Sequence, residues 1–267
     1  MDFNVAWVLN TCPIYRIMPL SRLEKLLESG ENTLVRPSSW DDPYEVIPSN
    51  SVYETEHGDI SLDTSYWFGQ CWSLCEESAL MWQSFAPRAK SPDTCKEIKE
   101  CRNKSQRYVK IKVRVEDLIS GLRDYKSDNV RICVVDYIRY FNETITDFEE
   151  KITDVITYHG WPKNFALKGI PLNELYPLYP LLTKRKAFKH EEEVRLLIFD
   201  KSAKPIDDTI SYKFDKKKIE EIILDPWTPE DELYEIKKNL QKNLGDKVFI
   251  DKSKLYSDSG KFVIRFK

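Results

Sequence analysis

Glycine and histidine are both scarce in this chain. Its 267 residues include only 8 Gly and 3 His, whereas glycine alone ordinarily makes up about 7% of a protein. The glycines are too far apart to build the phosphate-binding loops of P-loop or Rossmann proteins, and no G-x-S-x-G nucleophile turn is present. The three histidines are isolated, which argues against a histidine-rich metal centre. Several common classes of nucleotide-binding and hydrolytic enzyme are therefore excluded.

An excess of charge and long apolar runs are also missing. The 41 Lys and Arg residues nearly balance the 44 Asp and Glu residues, so the net charge is −3. Such a balance gives no general attraction to nucleic acids or anionic membranes. No run approaches the roughly 18 apolar residues of a membrane-spanning helix, and the first twenty residues lack the basic start of a signal peptide. We expect a cytoplasmic protein with no membrane partner.

The six cysteines form no C-x-x-C motif. Without a secretion signal, reduced thiols are expected. Cys71-x3-Cys75 would need distant residues to complete a zinc site, and buried small apolar side chains are the simpler interpretation. We therefore expect no bound metal.

Hydrophobic periodicity predicts a mixture of helices and strands. Strands are predicted over 66–74, 108–115, 131–137, 194–199, 209–214, 219–224, 248–250 and 262–266. Helices are predicted from an N-cap at Ser21 to Gly30, from Ala79 to near Pro87, over 140–158, and from an N-cap at Thr228 to Leu244. Residues 48–64 are predicted to be a surface loop, and 161–182 a loop or short helix.

The order of these elements has no regular βαβ rhythm, and no repeat or Pro/Gly/Ser linker interrupts the chain. We therefore predict one α+β domain over residues 1–267, with mixed or antiparallel sheets and flanking helices.

The densest group of charges runs from Lys184 to Arg195. If Glu191, Glu193 and Arg195 lie on one strand, alternation places them on the same face. Two carboxylates about 7 Å apart would suit binding of substrate hydroxyls and general-base catalysis. The alternative is a solvated charged segment with ion pairs to the preceding lysines.

Three further motifs each have a structural alternative. Adjacent Asp residues before a proline, in the segment from Trp40 to Glu45, are typical of a turn. The Arg of Tyr15-Arg16 suits binding of a phosphate or an internal salt bridge. The aromatic residues of Cys71-Trp72-Ser73 and Met81-Trp82 are typical of a core, and Ser73 has no nearby His–Asp signature of a nucleophile. A basic stretch, 90–114, suits either nucleic-acid binding or the exposed face of a strand.

The order of these motifs is more specific than any one of them. From about residue 14 to 245 it resembles the bacterial and phage family called domain of unknown function 2971, with its Y-[RK] start, N-D-P-[FY]-E turn, C-[FW]-S segment, L-M-W and E-x-E-x-R strand. The matching segments are Tyr15-Arg16, Trp40 to Glu45, Cys71-Trp72-Ser73, Leu80-Met81-Trp82 and Glu191 to Arg195. Two departures are Phe188, where the family usually has Trp, and the absence of Gly from the strand after L-M-W.

That family is similar in motif order to the Arg–Ser–Glu form of the ADP-ribosyltransferase superfamily. The resemblance implies that Arg16 holds NAD, that Ser73 supports the site, and that Glu193 stabilises the oxocarbenium-like transition state, with Glu191 as the first glutamate. Beside these, we expect Tyr15, Trp72, Trp82 and Arg195 to contribute to the NAD site, and Trp40, Asp42 and Glu45 to form an accompanying motif.

The resulting hypothesis is an ADP-ribosyltransferase or NAD glycohydrolase, with NAD as substrate and a role as a toxin or phage-defence effector. A protein, a nucleic acid or water would be the acceptor. One alternative is a non-catalytic module that binds nucleic acid or protein. Another is a metal-dependent nuclease that uses Asp41, Asp42, Glu45 and Glu191.

Overall fold

The structure is a computed structural model. It describes residues 12–40, 42, 45, 52–55, 58–61, 64–86, 107–122, 129–138, 181–204, 206–245 and 247–257. The predicted helix over 140–158 and the predicted strand over 262–266 lie outside these residues, as does most of the basic stretch.

The described part of the chain contains strands, short helices and 3-10 turns. The strands are β1 (Pro13–Pro19), β2 (Glu31–Val35), β3 (Val52–Thr55), β4 (Gly58–Ser61), β5 (Trp67–Ser73), β6 (Tyr108–Arg114), β7 (Asn129–Val134), β8 (Asp136–Ile138), β9 (Thr183–Arg185), β10 (Glu193–Phe199), β11 (Thr209–Lys213), β12 (Glu221–Leu224) and β13 (Phe249–Lys252). The α-helices are α1 (Leu20–Ser29), α2 (Ala79–Phe85), α3 (Val115–Ser120) and α4 (Glu230–Leu244), and 3-10 helices span Pro37–Ser39, Lys186–Glu191 and Lys216–Lys218.

Contacts divide the chain into two units. The first comprises Met1–Tyr15, Gly30–Glu76 and Val113–Lys218, and the second comprises Arg16–Ser29, Glu77–Lys112 and Ile219–Lys267. The predicted single domain over residues 1–267 stays a prediction.

The first unit is organised around β10, which pairs antiparallel with β5 on one side and β7 on the other. On its other edge, β5 pairs with β2 and also meets the start of β1, where Tyr15 lies opposite Ser73. Strand β11 continues the sheet beyond β2. Four apolar side chains of β10 are fully buried, namely Val194, Leu196, Leu197 and Ile198. Such a run is typical of a strand covered on both faces.

The second unit has a mixed sheet, because β12 pairs antiparallel with β6 and parallel with β13. Helix α1 packs against α4, and α4 packs against β13. Trp82, Ala86 and Ile223 form its buried cluster. The predicted α+β class, with a mixed sheet and flanking helices, is confirmed.

Helix boundaries show which local signals were right. Leu20, Leu23, Leu26 and Leu27 form the buried face of α1, and Gly30 follows it at a φ of 64°, as its predicted position after the helix requires. The predicted N-cap at Ser21 is wrong, because the helix already begins at Leu20. Thr228 is not a cap either, since Pro229 precedes the first residue of α4.

Two other segments differ from prediction. The predicted loop over 48–64 contains a hairpin, in which β3 pairs antiparallel with β4. The predicted strand over 131–137 is interrupted at Val135, so that β7 pairs with β10 while β8 pairs in parallel with β9. Different partners on either side of Val135 explain the interruption.

Candidate active site

A left-handed residue separates the two predicted glutamates. Glu191 is the last residue of the 3-10 helix Lys186–Glu191, and Glu193 is the first residue of β10. Between them, Glu192 has a φ of 43° and a ψ of 52°, and its N–H donates to the carbonyl of Lys189. The prediction that Glu191 shares a strand face with Glu193 and Arg195 is therefore wrong for Glu191. Of the three residues, only Glu193 and Arg195 lie within β10, where a spacing of two residues places them on the same face.

Ser73 connects this turn to the neighbouring strand. It lies directly opposite Glu193 across the β5–β10 pair and opposite Tyr15 across the β1–β5 pair. Its Oγ donates to the carbonyl of Glu191 at 2.6 Å and accepts the N–H of Cys75 at 2.9 Å. The serine hydroxyl thus fixes the backbone of the first glutamate beside the strand end that carries the second.

Arg195 holds the carboxylate of Glu193 from inside the protein. The side chain of Arg195 is completely buried. Its Nε donates to Glu193 Oε1 at 2.6 Å, and its Nη2 donates to Glu193 Oε2 at 3.2 Å. Nη2 also binds Glu45, Nη1 donates to the carbonyl of Leu181 at 2.8 Å, and the guanidinium lies 4.3 Å from the ring centre of Trp40. Every guanidinium nitrogen therefore has a partner.

Lys184 on β9 binds both glutamates. Its Nζ donates to Glu191 Oε2 at 2.6 Å and to Glu193 Oε2 at 3.0 Å, and it lies 3.7 Å from Glu45 Oε1. We call Glu45, Glu191, Glu193, Lys184 and Arg195 the charged cluster. Its three carboxylates and two cations give a net charge of −1 when all five groups are ionised.

The three carboxylates of the charged cluster titrate differently. Burial opposes the ionisation of Glu193, but Arg195 and Lys184 outweigh it and lower the pKa of Glu193 to about 2. For Glu45 and Glu191, burial prevails and raises the pKa above its ordinary value, although Arg195 or Lys184 partly offsets it. Glu193 is therefore the carboxylate whose ionised form the site favours most.

Tyr137 and Cys71 also touch Glu193. The backbone N–H of Glu193 donates to the Tyr137 hydroxyl oxygen at 2.7 Å. Burial, followed by the charge of Glu193, raises the pKa of the Cys71 thiol well above its ordinary value, so the group is a neutral thiol at pH 7. Its hydrogen bond to Glu193 helps to lower the pKa of that carboxyl. The position of Tyr137 in the site could not be predicted, because a single tyrosine on a strand matches no motif.

Asp42 and Phe188 lie beside the charged cluster. Asp42 accepts two hydrogen bonds from the Arg185 guanidinium, at 3.0 and 3.2 Å. The ring centre of Phe188 lies 4.9 Å from Lys184 Nζ and 5.1 Å from the Arg185 guanidinium carbon. Phe188 thus packs against both cations of β9. Trp40, Asp42 and Glu45 of the turn motif all contact basic residues at this site.

The other predicted site residues have different positions. Trp72 precedes Ser73 on β5 and so lies on the opposite face, where its indole donates to Gln70 Oε1 at 2.8 Å. That face carries a buried polar network in which Gln70 and Asn32 bond each other and Asn32 donates to Tyr212. Tyr15 is buried opposite Ser73.

Arg16 and Trp82 belong to the second unit. Trp82 is fully buried there, and its indole donates to Glu77 Oε1 at 3.0 Å. The NAD contacts of Arg16, Tyr15, Trp72, Trp82 and Arg195 stay predictions.

The carboxylates of the alternative nuclease site already have cationic partners. Glu45 and Glu191 pair with Lys184, and Asp42 pairs with Arg185, while Asp41 lies outside the described residues. Within the described ranges, no group of three or more His, Cys, Asp or Glu residues is arranged to hold a metal ion. The helices of the same ranges include none that is long and apolar enough to cross a membrane.

Comparisons with known proteins find few likenesses. No family model matches the chain, and no curated protein does. Among solved structures, Thermus sp. 2.9 DarT in complex with ADP-ribosylated ssDNA has a TM-score of 0.36 at 10% identity, covering 91% of this chain and 95% of that chain. The same protein in complex with NAD+ has a TM-score of 0.35 at 10% identity, covering 91% and 96%. TM-scores below 0.5 establish no shared fold or activity, so the fold class rests on this chain's own elements.

Proposed function

We propose that the charged cluster is the catalytic site of an ADP-ribosyltransferase that uses NAD. The observation that carries this proposal is the buried carboxylate of Glu193, kept ionised by Arg195 and Lys184 and placed directly opposite Ser73. The motif order Tyr15-Arg16, Ser73 and Glu191-x-Glu193 supports it, because this is the order of the Arg–Ser–Glu pattern that the chain resembles.

The reaction needs a fixed negative charge. When the bond between C1′ of the ribose and the nicotinamide nitrogen breaks, its electron pair leaves with the nicotinamide, and positive charge develops on the ribose. A carboxylate that is already ionised and held in place stabilises this charge without reorganising. An acceptor then attacks C1′ with its own electron pair and loses a proton to solvent. The products are neutral nicotinamide and an ADP-ribosylated acceptor, or free ADP-ribose when the acceptor is water.

The surrounding residues prepare Glu193 for this role. Arg195 is fully buried and binds both carboxylate oxygens, so it fixes the orientation of the side chain. Ser73 fixes the turn before Glu193 through the carbonyl of Glu191. The Lys184 side chain is 11% exposed while that of Arg195 is 0% exposed. We therefore expect the ribose to approach Glu193 from the side of Lys184.

The test is consumption of labelled NAD by the purified protein. We expect Glu193→Gln to lower the rate by roughly 100-fold or more, which is the scale of losing one preorganised charge-stabilising group. Glu235→Gln, at an exposed position of α4, is the matched control and should keep the wild-type rate. Protein, single-stranded nucleic acid and water should each be offered as acceptors. Absence of NAD loss from wild type with every acceptor would reject the proposal.

A folding control is needed because Glu193→Gln removes a buried charge. Circular dichroism and binding of a non-cleavable NAD analogue distinguish a folded, inactive variant from an unfolded one. A toxin role would be supported if expression of wild type, but not of a folded Glu193→Gln protein, arrests growth of the host cell, and a phage-defence role would be supported if only the wild type lowers phage yield. Equal growth arrest by both proteins would separate any toxicity from this site.

A further inference from the structure

The contacts of Lys184 point to a function for a residue outside the Arg–Ser–Glu pattern. Its ammonium group binds Glu191 Oε2 at 2.6 Å and Glu193 Oε2 at 3.0 Å. The two carboxylate oxygens are therefore less than 6 Å apart, because each lies within hydrogen-bonding distance of the same nitrogen. Both glutamates are buried, with side chains 8% and 3% exposed.

Two buried carboxylates at this distance do not both stay ionised unless a cation lies beside them. Repulsion between like charges in a medium of low dielectric constant drives one of the two to take up a proton. Arg195 compensates Glu193, whereas among the described residues the close cationic partner of Glu191 is Lys184. Glu45 adds a third negative charge, and Lys184 also lies beside it.

We propose that Lys184 is a positioning residue that holds Glu191 and Glu193 together as a doubly ionised pair for ADP-ribose transfer. This role rests on the proposed function, since it concerns the two glutamates of that reaction. Lys184 acts through the glutamates and needs no contact with substrate. Its own charge is secure, because burial is outweighed by Glu193, Glu45 and Glu191, which raise the pKa of the ammonium group above its ordinary value.

The protonation state of the pair depends on every group that faces it. Among the described residues, these groups are Arg195 on β10, Lys184 on β9, Cys71 on β5, Tyr137 on β8, His190 on the 3-10 helix, and Glu45. Removing Lys184 takes away the cation that the two glutamates share. The effect should therefore fall on both, and more strongly on Glu191.

The experiment measures protonation directly, so that it does not depend on catalysis. Carbon-13 NMR of Glu side-chain carboxyls, with Glu191→Gln and Glu193→Gln used for assignment, gives the titration midpoints of both residues. In Lys184→Gln we expect the midpoint of Glu191 to rise by at least one pH unit, and in Lys184→Arg we expect it to return toward wild type. Lys252→Gln removes a lysine that pairs with Glu230 elsewhere, and it should leave both midpoints unchanged.

The outcomes separate this inference from the proposed function. Unchanged midpoints in folded Lys184→Gln would overturn the role of Lys184 even if the enzyme is active. Shifted midpoints in a protein that never consumes NAD would support the ionised pair and reject the reaction. If Lys184→Gln does not fold, the wild-type titration decides: both glutamates ionised at pH 7 supports the pair, and either one still protonated there overturns it.

Where NAD consumption is measured, the acidic limb of the rate profile gives a second result. We expect it to move to higher pH in Lys184→Gln, with KM changing less than kcat, and to be restored by Lys184→Arg. A loss of rate without any displacement of the acidic limb would contradict the proposed role.

Discussion

Glu193 lies directly opposite Ser73 across the β5–β10 pair, and the hydroxyl of Ser73 donates to the carbonyl of Glu191, two residues before Glu193. One serine thus fixes the turn that joins both glutamates of the candidate site. Ser73→Ala removes this bond and also the hydrogen bond that the Ser73 hydroxyl accepts from the N–H of Cys75. We expect a loss of about 1–3 kcal/mol in the free energy of unfolding, together with a lower rate of NAD consumption. Ser202→Ala, at an exposed serine bonded to Asp200, is the control for urea unfolding and should change little.

The burial of Arg195 predicts that its charge is needed for stability. Arg195→Met leaves Glu193 and Glu45 buried without their guanidinium partner. Removing one partner of a buried ion pair costs about 3–5 kcal/mol, and for chains of this size we expect the melting temperature to fall on the order of 10 °C. Arg185→Met is the matched comparison, because that side chain is 38% exposed where it pairs with Asp42. Equal losses in the two variants, measured by calorimetry, would contradict the importance given to burial.

The lowered pKa of Glu193 predicts an acid-sensitive contribution to stability. Its pKa falls from 4.5 to about 2 on folding, so the contribution is present above pH 4.5 and is lost as the pH falls toward 2. At neutral pH it is on the order of 3 kcal/mol. Urea unfolding of wild type and Glu193→Gln between pH 7 and pH 3 should show their stabilities converging as the pH falls. A constant difference over this range would contradict the lowered pKa.

Glu191 should behave in the opposite way. Burial raises the pKa of Glu191 on folding. The contribution of Glu191 to folding stability is therefore fully present below its pKa in the unfolded chain, and it is lost as the pH rises through its pKa in the folded protein. Replacement by Gln removes the cost of ionising this buried carboxyl. We therefore expect Glu191→Gln to lose less stability than Glu193→Gln when both are unfolded with urea at pH 7. The reverse order would show that Lys184 outweighs burial at Glu191.

Gly69 packs so closely against Trp40 that a larger residue at this position should clash. A Cβ atom at this position would lie 2.5 Å from Cζ2 of Trp40 and 3.1 Å from Cδ2 of Leu197. Trp40 must then move, and its ring lies over the guanidinium of Arg195. We expect Gly69→Ala to cost about 1–3 kcal/mol through overpacking. The smaller side chain in the double variant Gly69→Ala/Trp40→Leu should relieve part of the clash. In a double-mutant cycle, the stability losses of the two single variants should therefore add to more than the loss measured for the double variant. Simple additivity would indicate that no clash occurs.

The sequence predicted the strands with strong apolar patterns and missed those with weak ones. Strands β5, β6 and β10 were found because aromatic or alternating apolar residues fill them. Strand β2 and strand β9 were missed, since Glu31 and Asn32 begin the first and Thr183 to Arg185 form the whole of the second. Their positions are set by pairing with distant strands, and no local pattern records that pairing.

The candidate site was predicted only in part, because some of its residues are brought together by the pairing of distant strands, which leaves no local pattern in the sequence. Motif order identified Glu193, Ser73 and the turn with Glu45, and the structure brings these three into one charged cluster or directly beside it. Lys184 appeared only among the lysines offered as ion-pair partners of the glutamates, and Tyr137 appeared only as the last residue of a predicted strand. Both reach Glu193 through the β8–β9 pair, a tertiary contact in which Tyr137 lies opposite Lys184, 47 residues further along the chain.

The left-handed conformation of Glu192 has a consequence for the residues that position 192 can accept. A glutamate at positive φ places its neighbours on two different elements, so the spacing of Glu191-x-Glu193 arises from a helix end followed by a strand start. Replacement of Glu192 by glycine or asparagine should therefore be tolerated, since these residues adopt positive φ most readily.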